Sequence, residues 1–371
     1  MTIQTIINDT PVNGICVLPG GIIDVPAGTS FTIPRSMIIE GNNTTINVGG
    51  NTVPINHLFN ADGLPNGSRL TVRNLTINGP DTTGWPNTAS TDIAAIGWRL
   101  YKTWDSTFTI ENVTTTGGYG YGVHRSGGGR FEIINSHLSA FVGGFAFFEG
   151  HGGHGSLLVQ DSVIEAPQES KYSSVGCYIH PHLHVTMERT EFINWNRYGV
   201  YLNGNPQSSG HHDFIEVVAT DCSLIQTGSS SVTTLVRCIE RGTPTNGGSF
   251  CKGPLLSVGS QWLSSGLIGT LNGIDCERKF VNDYIAPKNL WSAYGGQTVG
   301  KLTLIGCTID LNNKATFLSI SGGSTLAVEI IQTVTNENGT ARALIVQGGS
   351  VKYIDSNIPV LKTVTAPGTL L

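Results

Sequence analysis

Charge is scarce in this chain. Of its 371 residues only 13% are Asp, Glu, Lys or Arg, about half the roughly 25% of an ordinary globular domain. Lys and Arg form no run and the formal net charge is −5, which argues against the basic surface a nucleic-acid backbone requires. No apolar stretch is long enough to span a bilayer. The opening MTIQTIINDTPVNG lacks the basic region and apolar core of a secretory signal. No long segment has the 3.6-residue apolar period of an amphipathic helix, so helix content should be low. The seven cysteines are odd in number and contain no CxxC pair. Several occupy apolar slots in strand-like runs, where a reduced Cys acts as a small hydrophobe.

What the chain has instead is glycine and repetition. Its 48 Gly approach twice the usual share of about 7%, and Asn, Thr and Ser are plentiful. These residues suit short strands joined by tight turns, because Gly and Asn accept positive φ. An apolar-x-apolar-x-polar-x-x-apolar signature recurs as LTVRNLTI from Leu70, FTIENVTT from Phe108, FEIINSHL from Phe131 and LLVQDSVI from Leu157. It returns as VTMERTEF from Val185, VVATDCSL from Val217, LSVGSQWL from Leu256 and LTLIGCTI from Leu302. Its polar fifth position, as at Asn74, Asn112, Asn135, Asp161 and Asp221, falls where the strand turns and reads as structural. Between copies lies a second short run that ends on a functional group: IGWR at Arg99, GYGVH at His124, FAFFE at Glu149, GCYIH at His180, GVYLN at Asn203, RCIE at Glu240 and IDCE at Glu277.

A fixed repeat of this kind predicts a solenoid in which each coil stacks on its neighbours. The expected fold is all-β, a single-stranded right-handed parallel β-helix forming one domain over residues 1–371. Residues 1–60 serve as cap and first coils, 61–310 as regular coils with a groove, and 311–371 as last coils and C-terminal cap. Copies spaced more widely than one coil imply loops, chiefly around 78–95, 204–213, 226–234, 242–252 and 279–299.

Strand alternation then sorts the second run by direction. It points Tyr178 and His180, Tyr201 and Asn203, Phe147 and Glu149, and Asp275 and Glu277 outward. Rungs of a parallel sheet lie about 4.8 Å apart. The outward residues should therefore form a ladder of Arg99, His124, Glu149, His180, Asn203, Glu240 and Glu277, beside a shorter one of Phe147, Tyr178 and Tyr201. The RCIE rung is ambiguous, since a one-residue slip would turn Glu240 inward and Arg237 outward.

VLPGGIIDVPAGTSFTIPRSMIIEGNNTTI, beginning at Val17, resembles the opening coils of right-handed parallel β-helix proteins of the pectate-lyase-like superfamily. The LTVRNLTI-type copies resemble its later coils, so the resemblance covers roughly residues 15–310. It implies that fold, and it implies company among polysaccharide lyases, glycoside hydrolases, epimerases and phage tailspikes. GHGGHGS at 150–156 superficially resembles the Gly-His-Gly of polygalacturonases. The paired-Asp and Arg-x-Lys signatures of that family are not in place, so none of its roles is carried over.

Carboxylates and imidazoles beside aromatic rings suit a glycan groove, where ring faces stack on sugars and polar groups read hydroxyls. Hydrolysis needs two carboxyl groups about 5–5.5 Å or 6.5–9.5 Å apart, for which Glu240, Glu277 and Asp275 are candidates. β-Elimination needs a base, an acid and a cationic partner for the uronate. His180 or His124 could be the base, Tyr178 or Tyr201 the acid, and Arg99 or Arg125 the cation. The catalytic candidates are thus Glu149, His180, Glu240, Tyr178, Tyr201, Asp275 and Glu277. The substrate-binding candidates are Arg99, His124, Arg125, Phe147, Asn203, Arg241 and Arg278.

His151, His154, His180, His182 and His184 cluster in sequence near Glu149, with His211 and His212 a coil further on. Such a set could accept a transition metal, but Pro181 interrupts strand pairing and no HExxH exists. No cofactor or metal is therefore assigned. The leading expectation is a polysaccharide-cleaving enzyme, extracellular or virion-associated, with an oligosaccharide or polysaccharide partner, no nucleic acid and no membrane. The alternatives are a non-catalytic glycan-binding spike and a sugar epimerase. The apolar C-terminal segment makes a homo-oligomer plausible.

Overall fold

The computed structural model describes residues 2–51, 53–82, 93–99, 105–148, 155–167, 175–180, 183–202, 210–227, 231–241, 249–251, 253–263, 275–286, 292–294, 299–310, 316–320, 325–336, 343–346, 350–356, 361–364 and 369–370. Nearly all of the described structure is short parallel strands wound into a β-solenoid. The chain forms two compact units, Met1–Tyr201 and Leu202–Leu371.

The first unit opens on a helix, Ile3–Asp9, whose Thr2 Oγ1 accepts from the Thr5 amide at 3.2 Å. Ile3 and Ile7 are its buried residues. The first sheet then pairs Met37–Val48, Arg69–Asn78, Thr107–Thr116, Gly129–Ile134, Gly155–Gln160 and His184–Glu188 in parallel. Its register stacks Met37, Leu70, Phe108, Phe131, Leu157 and Val185 in one buried column. The signature copies at Leu70, Phe108, Phe131, Leu157 and Val185 are therefore in phase. Phe108 and Phe131 stack with centroids 5.3 Å apart.

The polar fifth position bends each copy. Asn74, Asn112, Asn135 and Asp161 all have left-handed backbones, with φ between 46° and 54°, a conformation Asn and Asp tolerate better than other L-residues. Asn112 Nδ2 donates to Asn74 Oδ1 at 2.7 Å, and Asn74 Nδ2 donates to Glu40 Oε1 at 2.9 Å. Arg189 occupies the same turn one coil on and grips Asp161 through Nε and Nη2 at 2.5 and 3.0 Å.

A second sheet in this unit pairs Phe31–Thr32, Phe59–Asn60, Ala94–Arg99, Tyr121–Ser126, Gly143–Phe148 and Val175–Ile179. Phe31, Phe59, Ile96, Val123, Phe145 and Cys177 form its inward column, each buried.

The second unit has the more even coils. Its first-sheet column runs His212, Thr233, Leu255, Arg278, Leu302, Val328 and Val351, at spacings of 21, 22, 23, 24, 26 and 23 residues. Two of the signature frames expected here are corrected. Val217 follows the left-handed residue Glu216 rather than opening the copy, which starts at His212. The copy read from Leu256 starts one residue earlier, because Leu255 is buried and Leu256 is exposed. The long gaps before Leu256 and Leu302 hold whole coils at Thr233 and Arg278 rather than loops alone. A separate sheet pairs Ser292–Tyr294, Thr316–Ile320, Ala343–Val346 and Leu361–Val364.

The interior of this unit is unusually polar. Asp283 accepts from Ser257 Oγ at 2.5 Å, the Ser260 amide at 2.9 Å and Trp262 Nε1 at 3.0 Å. Arg278 is buried and donates from Nε to the Cys251 carbonyl at 3.3 Å. All seven cysteines are free thiols and six are buried. Burial pushes the Cys238 thiol up to about 12 and the Cys251 thiol up to about 11. Among the described residues no helix is long and apolar enough to cross a membrane.

Candidate functional site

The outward face of the second sheet in residues 1–201 carries two columns, not the single ladder expected. Register aligns Gly97, His124, Ala146 and Tyr178 on four successive rungs. Two residues further along each strand, Arg99 aligns with Ser126 and Phe148, and alternation extends that column to His180. The His180 amide donates to the Phe147 carbonyl at 3.1 Å. Arg99 and His180 thus share one column, and His124 belongs to the other.

Phe147 is corrected outright: it is fully buried, faces the core and pairs with Arg125 and Ile179. The FAFFE run is apolar at both parities, so alternation could not phase it. Arg125 is also interior. Its guanidinium lies 4.2 Å over the Trp98 ring and donates from Nη2 to the Gly128 carbonyl at 2.8 Å, and burial lowers its pKa. A cation packed on a core ring stabilises this coil and cannot meet a substrate carboxylate.

His124 does point outward, yet it is only 3% exposed. The reason is a group sequence reading missed. His57, fully buried, sits 6.0 Å from the His124 ring and rests on the bare α-carbon of Gly97. Its Nδ1 accepts from the Ala94 amide at 2.8 Å, which leaves the proton on Nε2, 3.8 Å from Asp62. Tyr121 closes the cluster, 5.8 Å from His124. The only sequence hint was a His–x4–Asp spacing that straddles the boundary between the cap and the regular coils. A Gly97→Ala side chain would overlap the His57 ring. We expect it to lower stability by about 2 kcal/mol, as overpacking does, which urea unfolding would measure.

The face is less covered at the next rungs. Tyr178, Tyr201, Tyr198 and His180 are each half-buried. Tyr178 and Tyr201 lie 5.1 Å apart, Tyr201 and Tyr198 6.2 Å apart, and Tyr178 and His180 6.4 Å apart, centroid to centroid. Burial, reinforced by Tyr201, raises the Tyr178 phenol above its usual pKa. Three adjoining phenol rings beside an imidazole can stack on apolar faces and exchange protons with hydroxyls.

The carboxylate set disperses. Glu240 is fully buried, accepting from the Leu224 amide at 2.8 Å and from Ser249 Oγ. Its strand, Ile239–Arg241, belongs to the first sheet and not to the outward ladder. The slip allowed by the sequence is the observed state, since Arg237 faces out and pairs with Glu216 at 2.6 Å. Glu277 is exposed but opens a first-sheet strand, with Lys301 Nζ at 4.0 Å and Thr303 Oγ1 donating at 3.0 Å. Asp275 is exposed beside it. Arg241 is exposed and donates to Thr220 Oγ1 at 3.1 Å. Arg278, expected to bind substrate, is the interior residue described above. Glu149 and Asn203 lie outside the described residues, as do His151, His154 and His182, and only the backbone of Arg99 is described. Among the described residues no three His, Cys, Asp or Glu converge on a common metal position.

No protein-family model matches the sequence, and no curated protein matches it. Tailspike protein 3 of bacteriophage CBA120 is similar in structure, with a TM-score of 0.61 at 13% identity over 98% of this chain. This chain spans 57% of that tailspike's length. The catalytic unit of an α-1,3-glucanase from Streptomyces thermodiastaticus gives a TM-score of 0.46 at 11% identity, covering 95% of this chain and 63% of that one. A family 28 exopolygalacturonase from Yersinia enterocolitica gives 0.33 at 12% identity, covering 99% and 75%. The first of these likenesses establishes the fold that the sequence resemblance implied, a parallel β-solenoid shared with a phage tailspike.

Proposed function

We propose that this protein acts on a polysaccharide held along the outward face of the second sheet in residues 1–201. The observation that carries the reading is the cluster of half-buried Tyr178, Tyr198 and Tyr201 against His180. Flat aromatic faces beside an ionisable group suit successive sugars better than they suit a plain solvated surface. The fold shared with a tailspike supports the same reading, and with it a place on a virion.

Within that reading β-elimination is favoured over hydrolysis, with Arg99, which shares the column of His180, as its cationic partner now that Arg125 is interior. The carboxylates proposed for hydrolysis separate into an interior Glu240 and a Glu277 engaged by Lys301 and Thr303. The imidazole and phenols remain together and reach solvent. His180 would take the proton beside a uronate carboxyl group, and Tyr178, held protonated by its raised pKa, would donate to the departing oxygen. A screen of acidic and neutral polysaccharides tests this by new reducing ends and by the ultraviolet absorbance of unsaturated uronate. Ends with absorbance support elimination. Ends without it return the reaction to carboxylates, among which Glu149 stands first. Binding without new ends makes the protein a glycan-holding spike, and neither binding nor cleavage would end the glycan reading.

A further inference from the structure

An aliphatic stripe runs along the outer face of the first sheet in the second unit. Ile215, Val236, Val258, Val281, Ile305, Ile331 and Ile354 align on successive rungs. Each stands directly before a residue with a left-handed backbone, from Glu216 to Asp355. Alternation turns all of them away from the core side, which Phe214, Leu235, Phe280, Leu304 and Ile330 fill. Each is nonetheless half-buried, packed against the stripe residues above and below it. The fold does not require apolar groups at this position. In the first unit the residues that precede the same turn are Glu40, Arg73, Glu111, Ile134, Gln160 and Glu188. A position that is mostly polar in one unit and unbroken Ile and Val in the other marks a contact surface.

Pitch, charge and size say what covers the stripe. Its rungs recur about every 4.8 Å, whereas a helix turns every 5.4 Å or so. Over the length of the stripe a helix would drift about 4 Å out of step, close to a whole rung. A β-sheet stays in step, and a second copy of this chain supplies such a sheet with an identical stripe. The flanks suit a like partner. The adjacent outward column carries both signs, with Asp213 and Glu329 against Lys279 and Lys352. Nearby ion pairs close within the chain, Arg237 with Glu216 at 2.6 Å and Lys301 with Glu329 at 2.7 Å. One copy therefore meets no block of its own sign on the other. The stripe is about 29 Å long and, with one outward column on each side, about 20 Å wide. That is roughly 600 Å² on each copy and about 1,200 Å² in all, within the range of specific interfaces.

We infer that this stripe is a contact between copies of the chain, whose second units lie side by side with their rungs in step. The inference is independent of the glycan reading.

The test is analytical ultracentrifugation of the whole chain across micromolar concentrations. Wild type should be a dimer or larger. Val281→Glu, at the centre of the stripe, should weaken association roughly a hundredfold, since assembly would bury an unpaired charge. Its far-ultraviolet circular dichroism should be unchanged, because the monomer leaves that side chain in water. Ile134→Glu, the same change at the same strand position of the first unit, should leave association intact. Maleimide labelling of Ile305→Cys gives a readout that does not depend on a charged variant folding. The new thiol should react slowly in the assembled protein and at least tenfold faster on dilution to monomer, measured over the wild-type background of the half-buried Cys276. A wild type that stays monomeric would overturn the inference. So would an oligomer that ignores Val281→Glu or leaves the Ile305→Cys thiol freely reactive, since its contact would lie on another face.

Discussion

His180→Ala should lower polysaccharide cleavage by about 10²- to 10⁴-fold, the usual contribution of a positioned acid or base, with the melting temperature nearly unchanged. The expectation of a near-normal fold follows from the side chain's half-buried position just past the end of the strand Val175–Ile179. The local backbone is held by the His180 amide to the Phe147 carbonyl, which alanine retains. Tyr178→Phe is the sharper partner experiment. It keeps the ring that packs 5.1 Å from Tyr201 and removes only the hydroxyl that carries the proton. If Tyr178 is the acid, turnover falls and binding survives. If the ring merely stacks on sugar, Tyr178→Phe is close to wild type while Tyr178→Ala loses binding. Full activity in both His180→Ala and Tyr178→Phe would remove this cluster from the chemistry.

Asp283→Leu should cost about 3–5 kcal/mol of stability, measured by urea unfolding. Three buried donors, on Ser257, Ser260 and Trp262, converge on this carboxylate. Removing it strands them, the situation in which a missing partner costs most. Asp283→Asn should cost less, since its one oxygen still accepts. The pH dependence separates charge from hydrogen bonding. Burial is the largest influence on Asp283 and raises its pKa, against the lowering pull of its hydrogen bonds. An acid whose folded pKa is raised binds more protons folded than unfolded, so its contribution to stability declines as pH rises from the unfolded value, about 3.9, through the folded one. Asp283→Asn lacks that decline. The stability difference between wild type and Asp283→Asn should therefore shift in favour of the variant as pH rises through that window, and a pH-independent difference would refute the assignment.

The sequence disclosed the solenoid wherever its inward positions were apolar. Leu70, Phe108, Phe131, Leu157, Val185 and Leu302 each sit in the inward column that alternation assigned them. The reading failed where polar groups fill the same slots. His212, Thr233 and Arg278 hold the inward position in the second unit, so an apolar template could not see those coils and lengthened its neighbours into loops. The same masking displaced Glu240, whose partners Leu224 and Ser249 come from other segments of the chain. Tyr178, Tyr201 and His180 were legible because Cys177, Ile179, Val200 and Leu202 fix the parity of their strands. The cover of His57 over Gly97 was not, because a contact between coils leaves no mark in local alternation.

The even coils of the second unit carry a consequence for how length maps to reach. Each coil there spends about 23 residues to advance one strand spacing, about 4.8 Å. Because a coil's sheet partners are only the coils on either side, whole coils are the natural currency of insertion and deletion. Removing the coil that contains Thr233 would join the His212 and Leu255 rungs without changing any other pairing in that column. Such a scaffold works as a ruler: it can be lengthened or shortened by one graduation at a time, with the outer groups on every remaining rung kept in step.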